Sequence, residues 1–220
     1  MFPNWAKNIL FLLVYMISGL VLVIIIDGLT SGTDLIPLNL AVESMVMHVR
    51  TPIMTTFLVW VTRLGNPFIL SFVASFIALV LFVRGRFYEA ILFMVSIALA
   101  IISLVVLKDT FQIARPGYSI VDEAGWSFPS GHATVATAFF FALSHAFVGK
   151  IKSAWNRASL IVGSILSAFL ICFSRLYLGA HWTLDILAGI ALGLLSVSFT
   201  VLMFNIFLEH RRSLRKSMDL

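Results

Sequence analysis

Phe128-Pro129-Ser130-Gly131-His132-Ala133-Thr134-Val135-Ala136-Thr137-Ala138 runs without a break into Phe139-Phe140-Phe141-Ala142-Leu143. It reads as a capped start feeding an apolar helix. Serine is a strong N-cap residue, and the small residues behind it let a backbone approach a ligand closely. The first N–H groups of a helix lack internal partners and lie at the positive end of its dipole, so such an end favours an anion. His132 stands beside it, with a proton available near neutral pH. Taken alone, the stretch is more simply a capped helix than an anion site.

The apolar character does not stop with this helix. Of 220 residues, 60% are hydrophobic and 11% charged, against about 25% charged in soluble domains. The expectation is one all-α domain, residues 1–220, built as a polytopic membrane protein. Roughly 20 apolar residues cross a bilayer. Six spans are expected: Asn8 to Ile26, Phe68 to Val83, Tyr88 to Leu107, Ser130 to Val148, Ala158 to Phe173 and Thr183 to Leu208. No small-x-small cleavage site follows the first apolar run, so it is expected to remain as a span. Thr30 to Thr33 reads as a polar turn. Leu38 to Val49 and Ile53 to Thr62 are short and mixed, and read as helices lying at the interface. Phe68 to Val83 is short for a span, which would let that helix draw on residues before Pro67. A single cysteine, Cys172, allows no intramolecular disulfide.

The net charge of +5 does not point to nucleic acid, because of where the cations lie. With six spans both termini share one side, which collects Lys7, Arg84, Arg86, Lys150, Lys152, Arg157, Arg211, Arg212, Arg215 and Lys216. The rule that cytoplasmic loops carry the excess of Lys and Arg then places the termini in the cytoplasm. The basic tail reads as an anchor near anionic lipid. Lys108, Arg115 and Arg175 fall on the other side, where orientation gives no reason for them. Each alone is explained by snorkelling at a helix end.

Their company matters more. Four helix ends meet on the outer side. They bring Lys108 and Arg115, then Pro129 to His132, then Ser174-Arg175, then His181 and Asp185. His181 and Asp185 are four apart, which puts them on one helix face. A carboxylate beside an imidazole fixes its tautomer, as an activated histidine requires. Two histidines and one aspartate could also hold zinc, but three nearby cations would repel it. No carboxylate cluster suits Mg²⁺ or Ca²⁺. Neither a metal nor a cofactor is expected. Phosphoryl transfer with Arg and Lys neutralising the charge fits the residues; which histidine attacks stays open. Outside the set, His145 reads as packed, His48 and His210 as solvent or headgroup contacts, and Trp126 and Trp182 as interfacial aromatics. Tyr118, Asp122 and Glu123 in the long polar connection are candidates for shaping the entrance, and nothing in the sequence fixes their role.

Lys108-(six residues)-Arg115-Pro116, then Pro129-Ser130-Gly131-His132, then Ser174-Arg175-(five residues)-His181-(three residues)-Asp185 resembles the three-part signature of the type 2 phosphatidic acid phosphatase (PAP2) superfamily. Every signature position is filled at the right spacing. The resemblance implies that His181 is the nucleophile that forms a phosphohistidine, that Asp185 orients it, and that His132 is the general acid and base. It implies that Lys108, Arg115 and Arg175 bind phosphate together with Ser130 and the backbone of Gly131. The implied activity is metal-independent hydrolysis of a membrane lipid phosphate, such as phosphatidylglycerophosphate, phosphatidic acid or undecaprenyl diphosphate. The implied place is the outer face of a bacterial cytoplasmic membrane. The motifs do not separate hydrolysis from transfer to another acceptor. A non-catalytic lipid or anion transporter using the same pocket is disfavoured, because all the proposed catalytic positions are intact.

Overall fold

The computed structural model describes residues 4–31 and 36–218, and among these eight helices and no strand are found. They are α1 (Asn4–Thr30), α2 (Ile36–His48), α3 (Pro52–Leu64), α4 (Pro67–Val83), α5 (Phe87–Phe111), α6 (Gly131–Val148), α7 (Ala154–Tyr177) and α8 (Thr183–Met218). Capping residues mark the breaks between them. Thr51 accepts the Met54 N–H ahead of Pro52, and Asn66 accepts the Phe68 N–H ahead of Pro67. Ser153 does the same for α7. Each supplies a side-chain oxygen to a helix donor that has no internal partner.

Five helices, α1, α5, α6, α7 and α8, are long and apolar enough to cross a membrane. Helices α3 and α4 meet at a 45° bend and together pass the same test, which makes six if the pair is one span. The short α4 thus has a partner before Pro67, and α3, expected to lie at the interface, is the other arm of that bent pair. Gly65 sits at the bend because no side chain fits there. A Cβ on it would stand 2.7 Å from Ile171 Cγ1.

Helices α6 and α8 form the centre. Phe93 of α5 meets Phe139 of α6 edge-on at 5.7 Å, above a cluster with Val135, Val197 and Val201. Gly189 and Gly193 let α8 run against the backbone of α6, as small residues four apart do in membrane helices. Along α1, Leu12, Leu13, Met16, Ile17 and Leu20 face outward. So do Phe72, Phe76 and Leu79 of α4. Such exposed apolar stripes suit lipid rather than water.

Two polar ends close the bundle. At one, Glu89 receives Arg86 at 3.0 Å and Lys150 at 3.3 Å, tying the α4–α5 turn to the end of α6. The other end gathers the last turns of α5 and α7, the first turns of α6 and α8, and the α2–α3 connection. Two expected boundaries shift there, and one expected helical residue falls outside its helix. Helix α5 runs on to Phe111, so Lys108 lies inside its last turn. Helix α7 runs on to Tyr177, so Ser174 and Arg175 are helical. His181 precedes α8 and meets Asp185 across a turn. Packing against neighbouring helix ends carries α5 and α7 beyond their expected ends, whereas α8 starts at Thr183 and leaves His181 in the turn before it. Thr30 closes α1, while residues 32 and 33 of the expected polar turn lie outside the described residues, as do the side chains of the basic tail.

Candidate active site

Arg175 is fully buried. Its Nη1 donates to Thr62 Oγ1 of α3 at 2.7 Å, and its Nη2 lies 2.6 Å from Glu123 Oε1. A buried guanidinium is costly unless it is compensated; a threonine and a carboxylate provide this. Lys108 Nζ donates to the carbonyls of Trp126 and Ser127. Arg115 spreads over three carbonyls: Nε to Gly125 at 3.0 Å, Nη2 to Ala124 at 3.2 Å and Nη1 to Ala180 at 2.9 Å. It therefore ties the loop before α6 to the turn before α8. The same Nη1 stands 3.2 Å from His181 Nε2.

His181 is almost fully buried. Its Nδ1 lies 3.4 Å from Asp185 Oδ2 and 3.3 Å from Ser127 Oγ. Ser127 in turn donates to Asp185 Oδ2, which also accepts the Trp182 N–H at 2.9 Å. Since Oδ2 only accepts, this pattern assigns the ring proton to Nδ1 and leaves the Nε2 lone pair facing Arg115. Burial pulls the His181 pKa down to about 4, against the pull of Asp185 and with help from Arg175 and Arg115. The ring is therefore neutral at physiological pH, the form in which an imidazole nitrogen can attack.

The stretch around His132 opens α6 as its sequence suggests. Ser130 is buried and caps the helix by accepting the Ala133 N–H at 3.5 Å, and its own N–H donates to the Asp185 carbonyl at 3.0 Å. One residue of α8 therefore fastens the start of α6. Gly131 lies against Leu104, 3.4 Å from where a Cβ would stand. His132 is buried, bonded to the Thr62 backbone and within electrostatic reach of Arg175 and His181. All eight residues singled out from the sequence thus meet at one end of the bundle.

Two further residues, Ser127 and Thr62, escaped the sequence reading, and a third, Glu123, was given no role by it. Ser127 bonds both members of the His181–Asp185 pair, Thr62 holds Arg175, and Glu123 reaches both arginines. Ser127 directly precedes Phe128-Pro129, so its position gave a faint signal. Thr62 lies far away in sequence on another helix and gave none. Outside the set, two side chains make defined contacts. His145 packs edge-on against Phe11 at 5.0 Å, and Trp182 Nε1 donates to the Ala114 carbonyl at 3.0 Å.

The chain is an integral membrane protein whose helical bundle gathers cations, a buried histidine–aspartate pair and a helix N-terminus at one end. Residues 89–208 match the sequence profile of the PAP2 superfamily, more than half of the chain, and the chain belongs to that superfamily. It is 28% identical over 159 residues to phosphatidylglycerophosphatase B of Bacillus subtilis, covering 70% of this chain and 77% of the relative. It is 27% identical over 171 residues to an undecaprenyl-diphosphatase of Sulfolobus acidocaldarius, covering 75% and 78% respectively. Its fold resembles the crystal structure of a transmembrane PAP2-type phosphatidylglycerolphosphate phosphatase from Bacillus subtilis. The TM-score is 0.72 at 22% identity, over 86% of this chain and 95% of that one. The protein is a membrane phosphatase of the PAP2 lipid phosphatase family.

Proposed function

We propose that this phosphatase works as one domain and hydrolyses a lipid phosphate or diphosphate headgroup through a phosphohistidine. The site would face the outside of a bacterial cytoplasmic membrane. The observation that carries the reading is His181 itself: its Nδ1 is backed by Asp185 and Ser127 while its Nε2 points at Arg115. In the first step Nε2 attacks phosphorus, the bond to the lipid oxygen breaks, and His132 gives that oxygen its proton. The imidazolium so formed is stabilised by Asp185. In the second step His132 takes a proton from water, the water oxygen attacks phosphorus, and the P–N bond breaks. Orthophosphate and free His181 result. Lys108, Arg115, Arg175 and the α6 N-terminus with Ser130 and Gly131 balance the charge that a metal supplies elsewhere. No metal or cofactor takes part in either step. The headgroup would sit at the helix ends while its chain stays among the lipids.

Purified protein is expected to release phosphate from at least one of phosphatidylglycerophosphate, phosphatidic acid and undecaprenyl diphosphate, at the same rate with EDTA present. Release that stops in EDTA would rule out the metal-free route, and no release across the panel would rule out the substrate class.

Ser127→Ala removes the hydroxyl that bonds both His181 and Asp185. Losing one bond to a buried charged group costs about 1–3 kcal/mol, which corresponds to roughly 5–150-fold in rate. The expected loss is in kcat, with KM for the lipid near that of wild type. Steady-state kinetics in detergent would check it; a pure KM effect would move Ser127 to substrate binding.

A further inference from the structure

The α5–α6 loop carries two carboxylates that the proposed chemistry leaves unused, Asp122 and Glu123, and Glu123 reaches the site. Glu123 Oε1 is 2.6 Å from Arg175 Nη2, and Oε2 is 3.8 Å from Arg115 Nη2. The Arg115 guanidinium also reaches His181 Nε2. The carboxylate therefore rests on the groups that a phosphate attacked by that nitrogen has to engage. Its fit is incomplete. Neither Nε nor Nη2 of buried Arg175 has an aligned hydrogen bond. Arginine and carboxylate commonly pair through two parallel bonds; here the contact is close but one-sided, and donors remain for a tetrahedral anion. The two partners also differ in freedom. The Arg175 side chain is fully enclosed, whereas that of Glu123 is 26% exposed on a loop and can swing outward.

We propose that Glu123 is a displaceable internal anion. Between turnovers it occupies the phosphate seat between Arg115 and Arg175, it yields to the incoming phosphate group, and it returns as orthophosphate leaves. It is a positioning residue, because it keeps two neighbouring guanidinium groups compensated and aimed while the site is empty. Every phosphate group then binds against a competitor carried by the chain, so free orthophosphate is held weakly and product inhibition is mild. This inference rests on the phosphatase reading of the site.

The test compares full-length wild type and Glu123→Gln in detergent. Two constants are measured for each: the inhibition constant of orthophosphate against hydrolysis of a lipid phosphate, and the orthophosphate dissociation constant by calorimetry without lipid. A carboxylate a few ångströms from the seat opposes an anion strongly, so Glu123→Gln is expected to bind orthophosphate at least about tenfold tighter. KM for the lipid is expected to fall in parallel. A merely structural brace predicts the opposite sign, since Arg175 would lose its partner and both constants would rise. That rise, or unchanged constants, overturns the proposal. Should Glu123→Gln fail to fold, Glu123→Asp withdraws the carboxylate by one methylene and is expected to shift both constants the same way by less. If wild type hydrolyses no lipid while calorimetry still shows tighter phosphate binding in the variant, the phosphatase chemistry fails and the role of Glu123 stands.

Discussion

Glutamine in place of His181 is expected to lower phosphate release from a lipid substrate by about 10⁴-fold or more, the scale of losing a covalent nucleophile. The substitution is chosen for what it keeps. A glutamine amide can still donate toward Asp185 and Ser127, which flank Nδ1 in the native ring. Arg115 and Arg175 stay in place, so orthophosphate should still bind. What is lost is the nitrogen proposed to form the P–N bond. Brief mixing with a labelled lipid phosphate should leave acid-labile label on wild-type protein and none on His181→Gln. A variant with activity within about tenfold of wild type would remove His181 as nucleophile. Because burial pulls the His181 pKa down to about 4, a fall in wild-type rate on mild acidification is expected to come from another group.

Gly193→Val is expected to give the largest loss of stability among single changes in the bundle. A Cβ at Gly193 would stand 2.7 Å from the Thr134 carbonyl oxygen, 2.9 Å from Thr137 Cβ and 3.0 Å from the Ala138 nitrogen. None of these is the tip of a flexible side chain, so α6 and α8 must separate. Overpacking of this kind costs about 1–3 kcal/mol, and more when backbone must move. In a chain of this length that lowers the melting temperature by roughly 2–4 °C per kcal/mol. Activity should fall with it, because the same two helices carry His132 and Asp185. Gly163→Val is the control. It lies on the exposed face of α7 with nothing within 4 Å of a Cβ, and is expected to melt near wild type. Equal melting of both variants in a detergent thermal scan would show that the α6–α8 contact does not limit stability.

Much of this was legible in the residues, for identifiable reasons. Helix existence follows from apolar length, and the breaks from Thr51-Pro52, Asn66-Pro67 and Ser130-Gly131, where caps and prolines leave little choice. The gathering of Lys108, Arg115, His132, Arg175, His181 and Asp185 was readable because all but Arg115, which sits in the loop after α5, stood at the end of an apolar run. Helix ends were less readable. Nothing local carries α5 from Leu107 to Phe111 or α7 from Phe173 to Tyr177; packing against neighbouring ends does. The roles of Ser127, Thr62 and Glu123 were hard to read for another reason. A single hydroxyl has no periodicity, and one carboxylate in a polar loop looks solvated until the fold brings Arg115 and Arg175 to it.

Asp185 has a consequence for anyone seeking a silent copy of this enzyme for substrate trapping. Its carboxylate accepts from Trp182 and Ser127 as well as facing His181, and its carbonyl fastens Ser130 at the start of α6. Removing that carboxylate leaves a buried hydroxyl and an orphaned N–H at the entry of α8 at once. An inactive product would then report misassembly and lost chemistry together. Position 181 offers the cleaner knockout, because its ring can be exchanged for an amide while the aspartate goes on holding the two helix starts in register.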